Sequence, residues 1–414
     1  LLSKNGRIKD SLGRDVILRG VNLSGMENGT TGIFNEEDFT ALKNSGFNAI
    51  RLPLGWKGFE PSKGEWNEGY AGDLDRILGL AEKRAIYVLP DLHQWFWSMA
   101  GMPEWTCDIK PVLTTDYLLG CSKQFFSSPE MTKAFKEVWL NLAARYKGQA
   151  VIAGFDIMNE PPPTSVEDYL NGKFESEILY GFYGDIIEGI RSADPGRTIF
   201  IEPAIVSYGP TAFPAFPFDN IVYAPHIYVP HNYEEGVGLV WLFEPNAEFL
   251  KQQYESAMKE AVKLDTALVI GEYGVAPEKE GLGGWLLTSS AIQDANLIGS
   301  FYWDFKGGGW SLFPENLALK PFFLEHLIRP YIAAAAGEIL EMTSVPWSGR
   351  LNASIHVPSG MECVATEIIL PPVLYQGEPE IFVSENAEYL YMTKTGRLLV
   401  RTAHPDTIIT IEIK

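Results

Sequence analysis

Little of this chain is cationic, and little of it is sulfur or imidazole. Lys and Arg total 33 against 53 Asp and Glu, a formal charge of −20 at pH 7. A surface of that sign repels phosphate backbones, which argues against nucleic acid as a partner. Six His and three Cys show no cluster at metal-ligand spacing, so neither a metal centre nor a cofactor is expected. No run of about 18 apolar residues occurs, and no membrane-spanning helix is expected. The chain begins at Leu1 without a Met or a signal-like segment, which fits removal of an N-terminal portion. Cys107 and Cys121 bracket one loop-like stretch while Cys363 stands alone. A disulfide formed in an oxidising compartment and two free thiols both remain open. The Asn-x-Ser/Thr triplets at Asn22, Asn28 and Asn352 do not settle export. Secretion and a monomeric state are the expectations.

What is present points to a globular enzyme. A chain of 414 residues, 46% hydrophobic, can bury a large core, and its length suits a barrel plus something smaller. Aromatics make up 13% with 11 Trp; indole faces suit the apolar faces of sugar rings, although most Trp fill cores. Eight apolar, β-branched runs recur over the first three quarters: DVILRGVNLS, FNAIRLPL, AIYVLPDLH, IAGFDIMNE, TIFIEP, NIVYAPHIY, ALVIGEYG and IGSFYWDF. Between them lie stretches with apolar positions three and four apart, such as NEEDFTALKNSG and PEMTKAFKEVWLNLAARYKG. Strand then helix, eight times over, predicts an α/β fold, a (β/α)8 TIM barrel. Residues 1–15 read as a hairpin closing the barrel floor. After Arg329 short alternating runs separated by Pro, Gly and Asn predict a small antiparallel β-sandwich. The expected units are a barrel over residues 1–335 and a sandwich over 336–414, packed together because no Pro/Ser/Thr-rich linker parts them.

In such a barrel, chemistry belongs at the C-terminal ends of the strands, where the loops converge on one mouth. The runs end in Arg51, in Asp91 and His93, in Asn159 and Glu160, in Glu202, in His226 and Tyr228, in Glu272, and in Trp303. Each has a structural reading as well. Asp91 or His93 alone fits a hydrogen-bonded structural residue, Trp303 fits core filling, and Glu202 before a proline reads as a strand end and stays outside the expected site. Two glutamates at the ends of runs four and seven resist that reading, since buried carboxylates cost several kcal/mol without partners. A carboxyl pair across a barrel mouth is the equipment of glycoside hydrolysis, one protonating the departing oxygen and the other attacking the anomeric carbon.

Taken in order, IMNEP, HIY, GEYG, IRLPL, DLHQ and FYWDF resemble glycoside hydrolase family 5 within its clan of retaining barrels. The resemblance spans the whole barrel. It implies Glu160 as acid/base and Glu272 as nucleophile. It also implies Asn159 on the sugar 2-hydroxyl, Arg51 and Tyr228 orienting the nucleophile, His93 and His226 lining the subsite, and Trp303 beneath the sugar; Asp91, from its place at the end of the third run, is the further supporting candidate.

Trp95, Phe96 and Trp97 follow directly, and a long aromatic-rich loop comes next. With LRGVNLSG on the first run and the appended sandwich, this is similar to the endoglycoceramidase and glucosylceramidase branch. That likeness implies a glycolipid substrate, an apolar shelf at Trp95 to Trp97 and peripheral contact with lipid surfaces. The branch often carries an acidic residue where this chain has Trp95, which leaves outer-subsite recognition open. The alternative is an endo-β-1,4-glucanase or β-glucosidase acting on an oligosaccharide, a soluble β-glucan or a β-glucoside. A carbohydrate-binding protein on an inactive barrel is the more distant one, and the retention of both glutamates speaks against it.

Overall fold

Runs buried on both faces become central strands, and runs with one apolar stripe become the helices that cover them. The structure, a computed structural model, describes residues 1–205, 209–228, 247–277, 281–375 and 377–414. Three short strands come first: β1 (Leu2–Lys4), β2 (Arg7–Lys9) and β3 (Asp15–Val16). The barrel then alternates through β4 (Arg19–Asn22), α1 (Glu36–Asn44), β5 (Ala49–Leu54), α2 (Trp56–Phe59), α3 (Glu68–Glu82) and β6 (Tyr87–Leu92). It continues with α4 (Thr115–Phe126), α5 (Pro129–Arg145), β7 (Phe155–Asp156), α6 (Val166–Leu170), α7 (Tyr180–Ala193), β8 (Ile199–Ile201), β9 (Ile221–Tyr223) and β10 (His226–Tyr228). The last part of the barrel is α8 (Ala247–Lys263), β11 (Ala267–Gly274), α9 (Leu282–Asn296), β12 (Gly299–Tyr302) and α10 (Pro321–His326).

Parallel pairing runs β4-β5-β6-β7-β8-β9 and closes through β11 and β12 back onto β4. β9 and β10 occupy one of the eight strand positions. They are parted at Ala224 and Pro225, where proline has no N–H to give the ladder, and both pair with β11. All eight expected runs therefore become barrel strands, and the first also contributes β3. Every residue of β4 and β5 is buried, as a parallel sheet under helices requires. The helices start where the sequence marks them. Asn35 and Asp38 form a capping box on α1, and Ser128 caps α5 with Pro129 in its first turn. Among the described residues no helix is long and apolar enough to cross a membrane.

The C-terminal strands are β13 (Tyr331–Ala335), β14 (Glu338–Val345), β15 (Arg350–Val357), β16 (Thr366–Ile369), β17 (Ile381–Val383), β18 (Glu388–Met392), β19 (Arg397–Arg401) and β20 (Thr407–Ile413). They form two antiparallel sheets, ordered β1-β2-β3-β13-β16-β19-β18 and β14-β15-β20-β17. Inward residues of both, among them Ile332, Ile368, Leu398, Leu351, Ile355 and Ile411, make one apolar core. The boundary expected at residue 336 moves. Tyr331–Ala335 is already a sandwich strand, and β1 to β3 extend the same sheet. The N-terminal hairpin also touches the start of two barrel strands. Ser3 donates its N–H to Asn220 Oδ1 at 2.6 Å and accepts from the Ala267 N–H at 3.2 Å, beside the first residues of β9 and β11.

A buried ion cluster locks barrel to sandwich. Asp294 on α9 binds Arg19 of β4 and Arg329 just before β13, and accepts from Ser344 Oγ of β14 at 3.0 Å. Burial pushes the Asp294 carboxyl up, but Arg19 and Arg329 outweigh it and hold the group below the usual aspartate range. Its contribution to stability is therefore present above the unfolded pKa and lost as pH falls through the folded one. Asp294→Ala leaves two guanidiniums buried without a counter-charge. It is expected to cost about 3–5 kcal/mol at neutral pH, read as a lowered denaturation midpoint.

Candidate active site

Every strand position of the barrel sends a polar or aromatic side chain to one mouth. Asn22 ends β4, Arg51 lies in β5, Asp91 in β6, and Asp156 in β7 with Asn159 and Glu160 just beyond it. Glu202 follows β8, His226 and Tyr228 form β10, Glu272 lies in β11, and Trp303 follows β12. In-register pairing sets His226 beside Glu272, Asn22 beside Arg51, and Asp91 beside Asp156.

Arg51 is the hub and is fully buried. Its Nε donates to Asp156 at 2.8 Å, and its Nη1 donates to Glu272 Oε1 at 2.7 Å and Asn22 Oδ1 at 3.1 Å. Nη2 donates to Asn159 Oδ1 at 2.9 Å and Glu202 Oε1 at 2.8 Å, with Asp91 Oδ2 at 3.0 Å. One cation thus serves four carboxylates. Its rigid planar fork suits that work better than a point charge would.

The second half of the site gathers around His226. Its Nδ1 donates to Glu160 Oε1 at 2.9 Å and lies 3.6 Å from Glu272, and its Nε2 lies 3.3 Å from Glu202. Burial pulls this imidazole down, but the charges of Glu202 and Glu272 and the hydrogen bond with Glu160 outweigh it. His226 is held protonated well above the ordinary histidine range. Tyr228 donates its hydroxyl to Glu272 Oε2 at 2.8 Å. Glu272 therefore has a donor on each oxygen.

Burial nevertheless pushes the Glu272 carboxyl up; His226 and then Arg51 pull it back without cancelling the rise, and Glu160 adds to it. Arg51 offsets that rise only in part, its guanidinium being shared with three other carboxylates. Asp156 is pushed well up by burial, with the charge of Glu202 next in effect.

Glu160 adopts a left-handed backbone, φ 42°, a conformation that costs a non-glycine residue roughly 1–3 kcal/mol. Surrounding hydrogen bonds hold it there. Glu202 Oε2 accepts its N–H at 2.7 Å and Gln94 Nε2 donates to its carbonyl at 2.7 Å. His93 donates Nδ1 to Asp91 Oδ2 at 2.7 Å and stacks on Trp303, centroids 5.5 Å apart and planes at 17°. Burial pulls His93 down, while Asp91 and then Glu272 raise it to a net position above the ordinary value. All nine residues expected in the site or in support of it thus converge at the mouth.

The three aromatics after Gln94 do not stay together. Trp95 is 42% exposed, whereas Phe96 is buried and Trp97 wholly so. Trp97 donates to Thr106 Oγ1 at 2.9 Å and packs edge-on against Phe125. Phe96 and Trp97 take positive φ, and the turn closes at Gly101, φ +95°, where a Cβ would lie 1.6 Å from the His93 carbonyl oxygen. Of the expected shelf only Trp95 presents itself, and Trp97 is a core residue. Beyond the turn, Cys107 and Cys121 form a disulfide that pins the loop to α4, a closure of this length contributing about 3 kcal/mol.

Among the described residues two groups could present ligand atoms to a metal: Glu160, His226 and Glu272, and Asp91, Asp156 and Glu202. The atoms within each group lie within 4.8 Å of one another. Arg51 already occupies the second group as its cation, and protonation of His226 opposes a dication at the first. The same distance places a Glu160 oxygen within 4.8 Å of a Glu272 oxygen. Nucleophilic displacement uses closely paired carboxyl groups, whereas a wider gap of roughly 6.5–9.5 Å admits a water.

The sequence profile described as Cellulase (glycosyl hydrolase family 5) matches residues 10–309. The chain belongs to glycosyl hydrolase family 5. It is a retaining glycosidase. It is similar to endoglycoceramidase I of Rhodococcus hoagii (strain 103S), 26% identical over 377 residues that cover 80% of this chain and 71% of the relative. With an endoglycoceramidase of Hydra vulgaris the identity is 25% over 467 residues, covering 93% and 82%. The ganglioside GM3 complex of endo-glycoceramidase II from Rhodococcus sp. superposes with a TM-score of 0.86 over 99% of each chain at 22% identity. At that identity the likeness speaks for the fold, and it includes the C-terminal sheets.

Reading the sequence missed Asn22, Gln94 and Asp156 and, most consequentially, set Glu202 aside. A signal existed for Asp156, an acidic residue inside the apolar run GFDIM. Glu202 in FIEP looked like a strand end, and only the fold shows its carboxylate turned inward against Arg51 and His226.

Proposed function

We propose that this glycosidase hydrolyses the bond between a glycan and ceramide in glycosphingolipids, releasing the glycan intact. Glu160 protonates the glycosidic oxygen while Glu272 attacks the anomeric carbon, and the ceramide alcohol departs. Glu160, now a carboxylate, takes a proton from water. That water displaces Glu272 and frees the glycan with its configuration retained. Asn159 spends one N–H on the Gln94 carbonyl at 2.9 Å and has a second for the sugar 2-hydroxyl. Arg51 and Tyr228 hold Glu272 in line, His93 and His226 line the sugar subsite with Asp91 in support, and Trp303 lies beneath the ring.

What supports the lipid reading is a set of exposed apolar side chains on the two chain segments next to Gln94 and Glu160, which we read as an apolar rim on the acid/base side of the mouth. Trp95 follows Gln94, which is bonded to the Glu160 carbonyl; Met99, Val112 and Leu113 lie on the same loop, and Val166 and Leu170 on α6 just after Glu160. Their exposure rises from 39% at Met99 to 77% at Leu170. The departing group of the first step leaves from that side, so a ceramide would meet an apolar surface there. The same rim suits peripheral contact with a lipid surface. The names of the relatives agree with this reading.

The test offers the enzyme a glycosylceramide and a soluble cello-oligosaccharide together and identifies the products by mass spectrometry. Ceramide with intact oligosaccharide is the expected result. Ceramide with glucose alone would replace endo action by exo action, and cleavage of the cello-oligosaccharide alone would overturn the lipid assignment.

A further inference from the structure

Glu202 has two carboxylate oxygens that serve different halves of the site. Oε2 accepts the Glu160 N–H at 2.7 Å; Oε1 accepts from Arg51 at 2.8 Å and lies 3.3 Å from His226 Nε2. The side chain is 2% exposed and makes its contacts with protein groups. His226 then donates to the Glu160 carboxyl at 2.9 Å. Glu160 is therefore reached twice from one residue, at its main chain directly and at its carboxyl through an imidazole.

We propose that Glu202 is a positioning residue for departure of the aglycone, fastening Glu160 and its His226 partner to the arginine that holds the nucleophile. This rests on the reading of Glu160 as proton donor. A left-handed Glu160 needs an outside hold, and the N–H bond to Glu202 supplies it from a side chain itself fixed by Arg51. The charged and titratable groups around Glu202 and His226 include Arg51 on β5, Asp91 on β6, Asp156 on β7, Glu160, and Glu272 on β11. Tyr183 on α7 donates to the Glu202 carbonyl at 3.0 Å, and Tyr223 lies on β9. After burial, Glu202 is the first influence on His226 and raises it.

A glutamine cannot reproduce this arrangement. Whichever way its amide turns, the NH2 faces either the Glu160 N–H or the donors of Arg51 and His226. The imidazolium of His226 also loses its strongest counter-charge, so it deprotonates at lower pH.

The experiment compares the full chain with Glu202→Gln, Glu202→Asp and Glu160→Ala on a series of aryl β-lactosides with aglycones of rising pKa. Glu202→Gln is expected to lose roughly 10-fold in kcat/KM with a dinitrophenol aglycone and roughly 1000-fold with an unactivated phenol. The alkaline limb of its pH profile should move to lower pH. Glu202→Asp keeps the charge, so its limb stays near that of the wild type while its rate falls. A uniform loss over all aglycones with an unmoved limb overturns the proposal, provided Glu160→Ala is selectively impaired on poor aglycones. If Glu160→Ala loses equally on all of them, the acid assignment fails and the proposal falls with it. Should Glu202→Gln not fold, Glu202→Asp decides: an aglycone-dependent loss supports the role and a uniform one refutes it.

Discussion

Glu272→Gln is expected to bind substrate and to turn it over at least on the order of 10⁴-fold more slowly, a loss of about 5 kcal/mol of transition-state stabilisation. The substitution keeps an acceptor for the Arg51 N–H and keeps the shape of the pocket, so the sugar still finds its subsite. What disappears is the anion that forms the glycosyl–enzyme bond. Ordinary turnover in this variant would end the assignment of the nucleophile. Stability should move the other way. Burial raises the Glu272 pKa above its unfolded value, so ionisation of this group lowers stability as pH rises through that window. Removing one of the four carboxylates around Arg51 should raise the melting temperature at neutral pH, the sign expected of a residue kept for function against folding.

Glu160→Ala carries the other large effect, and its size depends on the substrate. With an aglycone that needs protonation, the rate is expected to fall roughly 10²–10⁴-fold; with a dinitrophenol aglycone the first step survives and hydrolysis of the glycosyl–enzyme limits turnover. Added azide should then restore turnover and yield a glycosyl azide of retained configuration, because a small anion attacks without needing a base. An azide product of inverted configuration would mean that the two glutamates have exchanged roles. Their environments give the physical ground for the present assignment. Glu272 is held in place by a donor on each oxygen, from Arg51 and Tyr228, as an in-line nucleophile must be, whereas Glu160 is half-buried and its carboxyl is met by His226.

Local pattern was enough for the barrel. Runs such as AIRLPL, buried throughout, can only be central strands under helices, and capped stretches such as NEEDFTALKN can only be amphipathic helices. The ordered polar residues at the strand ends then placed Arg51, His93, Asn159, Glu160, His226, Tyr228, Glu272 and Trp303 at one mouth, because parallel strands with right-handed crossovers leave their C-terminal ends no other place. Three matters lay beyond that logic. Trp95 and Trp97 are two residues apart, yet one faces solvent and the other lies in the core, because two left-handed residues break any periodicity between them. Ala-rich β13 pairs with β3 across more than 300 residues of chain, a contact no local signal encodes. Glu202 becomes part of the site only when β8 sits near β5 and β10, since a carboxylate's role is set by which charges lie within a few ångströms of it. The sequence by itself determined the barrel, the carboxylate pair and the family, since these follow from periodicity and order along the chain. The tertiary structure alone decided which aromatics face the substrate and how one arginine is shared among four acids, because those depend on distances between residues far apart in sequence.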